Sequence, residues 1–199
     1  MHTNSNLLFE KYAVPRFQKG MRVLEIGPDR FPSTYRQLLP LQDITWDTLD
    51  IYDSPHLTYP KSDVYSFTIP DNTYDVVFSG NVIEHVAKVW RWYVELARIT
   101  KPGGLVISIN PTSWPYHPAP IDCWRIYPDG MQALCDEAGL KVELSHFGSL
   151  ELPHTKRSLP GRAPEWQSAR LRRAFRVLGW LGFPVEKAFD TITIARKPL

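Results

Sequence analysis

Cysteine is scarce in this chain: there are two in 199 residues, Cys123 and Cys135, and they form no CxxC pair. That usage supports neither a disulfide framework nor a thiolate metal centre, so no metal is expected, and it fits a reducing cytoplasm. An excess of one charge is also lacking. The formal net charge is +2, too small a field to call for nucleic acid, and no nucleic-acid partner is expected. Long apolar runs are missing as well. The oiliest stretch, 178–185, is broken by glycine and proline and falls far short of the about 18 apolar residues that a membrane span needs. Residues 1–20 hold no apolar run of signal-peptide type, so a cytoplasmic protein is the expectation. Repeats and low-complexity segments are absent too.

What is present is a globular composition, 43% apolar and 22% charged, in a length that suits one α/β domain with a substantial core. Buried-strand signals fall at 22–26, 45–51, 74–79, 105–109, 142–147 and 191–195, with a weaker one around 63–67. Helical periodicity falls at 31–39, 84–100 and 129–138, and Gly139 suits the end of the last of these. Alternating strands and helices imply parallel pairing with helical crossovers, hence a doubly wound α/β sheet.

Ligands of such sheets bind beyond the carboxyl ends of the strands. The residues there are Glu25, Gly27, Pro28, Asp29, Asp50, Asp63, Ser79, Gly80 and Asn81. A dinucleotide brings a pyrophosphate, which wants a glycine-rich turn and bare helix N–H groups. This turn is Gly27-Pro28-Asp29, with a proline that has no N–H and a carboxylate that repels phosphate. An acidic rim of Glu25, Asp29, Asp50 and Asp63 instead suits the sulfonium, ammonium and ribose hydroxyls of S-adenosylmethionine.

The segment Val23-Leu24-Glu25-Ile26-Gly27 resembles the first motif of class I S-adenosylmethionine-dependent methyltransferases. Thr48-Leu49-Asp50-Ile51 resembles their second-strand ending, which holds the ribose, and Asp63-Val64 the pair beside the adenine. Residues 67–77 are similar to the approach to their fourth strand. Asn81-Val82-Ile83-Glu84-His85-Val86 is similar to the Asn-x-x-Glu-His stretch of the ubiquinone/menaquinone-type subgroup, and Lys101-Pro102-Gly103-Gly104 completes the set. The resemblance covers about residues 22–147. It implies a mostly parallel seven-stranded sheet of order 3-2-1-4-5-7-6, last strand antiparallel, with helices on both faces. It also implies S-adenosylmethionine as cofactor, with Ile51, Val64 and His85 joining the cofactor set. Asp29 stands where the family usually has a second glycine; aspartate tolerates a left-handed turn better than most residues.

Residues 110–128 form a long loop with five prolines, two tryptophans and two tyrosines, stiff enough for order and placed to wall a substrate pocket. The pattern His117, Pro120, Asp122, Trp124, Arg125 is similar to one in methyltransferases of polysaccharide and small-metabolite pathways. His117 is the first candidate for general base, with His85 second. Asp122 is a candidate to orient His117 or act as base, and Arg125 to hold a carboxylate or stabilise an oxyanion. The competing reading pairs Asp122 with Arg125 to pin the loop and treats Trp114 and Trp124 as packing anchors.

One domain is expected over residues 1–199, with a cofactor core at about 20–110, a substrate loop at 110–128 and a helical insertion at 148–187. Within the insertion, 166–181 reads as a basic amphipathic helix packed on its own domain or a homodimer partner; weak contact with an anionic membrane surface is the alternative. The favoured function is methyl transfer to a small molecule, most simply at oxygen on a sugar or other metabolite. The rivals are a nicotinamide-dependent oxidoreductase and a non-catalytic binding relative.

Overall fold

The computed structural model describes residues 3–118, 120–151, 177–178, 180–181 and 188–199. Among the described residues six strands make one sheet: β1 (Arg22–Ile26), β2 (Thr45–Leu49), β3 (Tyr74–Gly80), β4 (Thr100–Pro111), β5 (Lys141–Gly148) and β6 (Asp190–Arg196). Their order is β2-β1-β3-β4-β6-β5. The β1–β2, β1–β3 and β3–β4 pairs are parallel, and β6 runs antiparallel to both β4 and β5.

Strand alternation distributes the apolar side chains between two cores. Leu24, Ile26, Val77 and Val106 face one side, packed under α3 (Val89–Ile99) and α4 (Pro128–Glu137). Val23, Val76, Phe78, Leu105, Ile107 and Ile109 face the other, under the N-terminal segment and α2 (Thr34–Leu38). Helices on both faces and an antiparallel penultimate position are as expected.

The strand count is a correction. The expected third strand around 63–67 is not a strand, and only an isolated bridge, Leu49 to Tyr59, lies beyond β2. Side chains take the N–H groups that a ladder would need: the Tyr65 N–H donates to Asp63 (2.8 Å) and the Phe67 N–H to Glu95 (2.6 Å). The order is thus the expected one with its outermost strand missing.

The expected helix at 84–100 is split. A 3₁₀ turn, Ile83–His85, precedes α3, and β4 follows α3 directly. Gly103 (φ +76°) makes a bulge inside β4 rather than a loop before it. Helical residues near the N-terminus are not among the expected elements. There α1 (Thr3–Leu8) runs into a π turn and a 3₁₀ turn and buries Leu8, Phe9, Ala13 and Phe17.

The expected helix over 166–181 falls almost wholly outside the described residues, as does most of the 148–187 insertion. Val177, Leu178, Trp180 and Leu181 are exposed. Among the described residues, no helix is long and apolar enough to cross a membrane.

Candidate active site

A cleft of about 720 Å³ opens at the carboxyl ends of β1, β2 and β3. Its walls are mainly apolar, from Ile26, Leu49, Val64, Phe67, Val82 and Trp92, with Asp50, Asn81 and His85 as polar groups. Gly27 forms its floor at φ +71°, and a Cβ there would lie 2.6 Å from the Val82 side chain. Only glycine satisfies both the left-handed backbone and that close approach. Asn81 is also left-handed (φ 59°), its N–H donates to Ile109 O (2.8 Å), and its side-chain oxygen accepts from the Ser5 hydroxyl (3.3 Å).

Of the expected cofactor residues, Gly27, Asp50, Ile51, Val64, Asn81 and His85 line this cleft. Asp50 turns its carboxylate toward the N–H of Tyr52 (3.2 Å). The other six are elsewhere, and with them most of the acidic rim is lost.

Glu25 is buried on the opposite face of the sheet, because alternation along β1 puts it on the side of Val23. Its carboxyl accepts from Ser33 (2.5 Å) and from the Trp46 indole (2.8 Å). Burial pushes that carboxyl up to about 7 against the pull of those two donors. Asp29 turns away to the start of α2 and accepts the N–H and hydroxyl of Thr34 (2.9 and 2.7 Å). Burial alone would raise its pKa, but Thr34 and Arg30 outweigh that and hold it below the usual range. It is not left-handed, so the backbone does not require a second glycine there.

Pro28 follows Gly27 off the cleft wall. Asp63 is exposed, holding the turn N–H of Tyr65. The Ser79 hydroxyl is buried against Ser108 (3.2 Å), and a Cβ on Gly80 would collide with the Tyr35 ring. Both therefore serve the packing of β3.

The loop after β4 is sewn onto the 3₁₀ turn beside the cleft. Cys123 N–H donates to Glu84 O (2.7 Å), the Trp124 indole to Val86 O (2.8 Å), and His85 Nδ1 to Ile121 O (2.5 Å). Pro120 from this loop reaches the cleft wall. Arg125 holds the loop in shape with its full complement of donors. Nε reaches Trp114 O, one terminal nitrogen reaches Asp122 Oδ1 and Trp124 O, and the other reaches Asp122 Oδ2 and Pro115 O, at 2.5–3.1 Å. A guanidinium has five N–H donors, so none remains for an acceptor. Trp124 is likewise an anchor.

Asp122 also accepts the His117 N–H (2.8 Å) and lies 3.3 Å from His117 Nδ1. The Arg125 guanidinium holds its carboxyl far below the usual range, which removes it as a base and leaves it orienting His117. His117 Nδ1 faces Pro115 O at 3.2 Å, and burial lowers its pKa below the ordinary histidine value. The His85 and His117 rings meet edge to face, 5.1 Å between centroids. Beneath them lies Glu84, fully buried, its carboxyl pushed up to about 8 by burial. Glu84 was visible in the sequence only as part of a motif.

Residues 43–108 match the family model described as "Methyltransferase domain". That stretch, about a third of the chain, is similar to a methyltransferase domain. A curated "Uncharacterized methyltransferase" of Mycobacteroides abscessus is 40% identical over 60 residues, which are 30% of this chain and 23% of that protein. The chain spans less than half the length of the curated relatives it matches. Among solved structures, a SAM dependent methyltransferase from Archaeoglobus fulgidus has a TM-score of 0.65 at 18% identity, over 96% of this chain and 92% of that one. The cyclase SpnF superposes with a TM-score of 0.62 at 15% identity, over 98% and 80%. The chain thus shares the fold of these proteins, one of which, SpnF, is a cyclase.

Proposed function

We propose that this domain transfers a methyl group from S-adenosylmethionine to an oxygen of a small-molecule acceptor, a sugar or comparable metabolite. The observation that carries this reading is the cleft itself. A glycine-floored, mainly apolar slot with one carboxylate at Asp50 suits an adenosine, and its wall carries His85, against whose ring His117 packs. The start of α2 supports the choice of cofactor. The N–H groups of Thr34 and Arg36 are already taken by Asp29 and by Ser33, so two of the first N–H groups of that helix are not available to a pyrophosphate. That argues against a nicotinamide cofactor more firmly than the charge of the rim did.

S-adenosylmethionine, when bound, supplies a methyl group already activated on a sulfonium. Gly27, Asp50, Val64 and Asn81 would hold it. The protein's remaining task is alignment of the acceptor and removal of its proton. His117 is suited to the second task by geometry. Its Nδ1 faces a carbonyl oxygen, which only accepts, so Nδ1 carries the hydrogen and Nε2 presents a lone pair. Proline and aromatic side chains around it leave apolar walls consistent with a ring-shaped acceptor. The SpnF likeness shows only that this fold also serves an activity other than methyl transfer, so the non-catalytic alternative is separated by experiment.

Calorimetric titration with S-adenosylhomocysteine and with NAD, and methyl transfer from labelled cofactor to a panel of polyols and phenols, test the reading. Homocysteine-cofactor binding without NAD binding, and label transfer to a hydroxyl, are expected. His117→Ala should keep cofactor affinity and lose turnover. Unchanged turnover would remove His117 from the mechanism, and no transfer to any acceptor would favour the non-catalytic reading.

A further inference from the structure

Glu84, His85 and His117 each bring a ligand-type atom within 4.8 Å of the other two. Two come from the 3₁₀ turn after β3 and one from the loop after β4, so the fold, not chain proximity, assembles them. Glu84 is fully buried, and neither of its carboxylate oxygens accepts a hydrogen bond from another residue. A buried carboxylate left in that condition is rare and calls for a counter-charge.

Both imidazoles are oriented to supply a lone pair. His85 Nδ1 faces Ile121 O and His117 Nδ1 faces Pro115 O. Carbonyl oxygens only accept, so in each ring the hydrogen sits on Nδ1 and Nε2 is free to ligate. Metal-binding histidines are characteristically held this way, with the second nitrogen donating to a carbonyl or carboxylate. Asp122, 3.3 Å from His117 Nδ1, adds the carboxylate. His85 Nε2 is 3.8 Å from Glu84 Oε1. Ligands about 2.1 Å from a tetrahedral ion are about 3.4 Å apart, so a small closing movement suffices.

We propose that Glu84, His85 and His117 bind a divalent transition-metal cation at the acceptor end of the cleft, and that its open coordination positions take the acceptor's oxygen. One carboxylate and two imidazoles with open positions suit a first-row divalent ion. This departs from the expectation of no metal, which rested on cysteine. With the cation in place, His117 would be a ligand rather than the base, and the acceptor hydroxyl, its pKa lowered by coordination, would release its proton to solvent water. The acceptor role rests on the methyl-transfer reading; the cation site does not.

The test uses the full chain stripped with a chelator and titrated with Zn²⁺ and Co²⁺. One cation per chain is expected, with Co²⁺ giving visible bands of a nitrogen- and oxygen-ligated centre. His117→Ala, at a half-exposed position, should weaken binding by more than the about 10–100-fold typical of losing an outer partner. Glu84→Gln should do the same if it folds, with circular dichroism and S-adenosylhomocysteine affinity as controls. Absence of stoichiometric binding, or unchanged affinity in His117→Ala, overturns the site. Undiminished methyl transfer after chelation overturns the acceptor role alone. Tight cation binding in a chain that ignores S-adenosylhomocysteine upholds the site and sinks the methyl-transfer reading instead.

Discussion

Glu25 illustrates what a single residue position decides. It stands one residue before the end of β1, and the alternation of that strand turns it away from the cleft toward Ser33 and Trp46. The alternation is written in the sequence; which face carries the cofactor is not, so a carboxylate beside the glycine turn reads as part of a rim. Its burial has a measurable consequence. The folded chain holds the Glu25 proton to about pH 7, against an ordinary value of 4.5. A carboxyl raised in this way favours folding below about pH 4.5, and that contribution disappears as pH rises through about 7. The gap corresponds to about 3 kcal/mol. Glu25→Gln keeps an acceptor for Trp46 and removes the titration. Urea denaturation across pH 4.5–7.5 should therefore show the wild type losing about 3 kcal/mol relative to the variant. Parallel pH profiles would show that Glu25 does not titrate in this range.

At the scale of elements, the strands were legible because their apolar runs are bounded by turn residues. The missing third strand and the N-terminal segment were not. Asp63 and Glu95 intercept backbone donors through contacts up to 28 positions apart, and residues 3–16 change helix type twice, which leaves no steady period to read. The loop after β4 was recognisable by composition, but the roles within it were divided only by geometry. Arg125 could be named from sequence; that all five of its donors are spent on the loop could not. Arg125 is therefore a positioning residue that acts on His117 through Asp122. Arg125→Lys loses the planar fork and lets the loop shift by an ångström or so. We expect kcat to fall by about 100-fold with S-adenosylhomocysteine affinity nearly unchanged, because the cleft walls belong mainly to β1, β2, β3 and the turns after them. Increased proteolytic cutting within 112–127 should accompany it. A fall in cofactor affinity equal to the fall in kcat would mean that the clamp supports the whole cleft.

At the scale of the molecule, the ends of the chain and the cleft meet at Asn4. Its amide donates to Asp190 (2.8 Å) and Gly148 O (3.0 Å), and its oxygen accepts from Leu150 N–H (2.7 Å). Ser5 beside it bonds Asp190 and Asn81, so the same turn of helix touches the β5–β6 end of the sheet and a residue of the cleft. Asn4, Ser5 and Asp190 are fully buried. Removing the Asn4 side chain takes a donor from a buried carboxylate and an acceptor from a backbone N–H. Each such loss carries a desolvation cost rather than the smaller net value of an exposed bond. Asn4→Ala should lower stability by about 2–3 kcal/mol, and Tm should fall by roughly 4–12 °C for a domain of this size. Because α1 secures Asn81 through Ser5, S-adenosylhomocysteine binding should weaken as well, and saturating ligand should recover part of the lost Tm. A change in stability below about 0.5 kcal/mol, the usual range for surface substitutions, would mean that the N-terminal helix rests on the domain without bracing it. The coupling to the cleft would then fail with it.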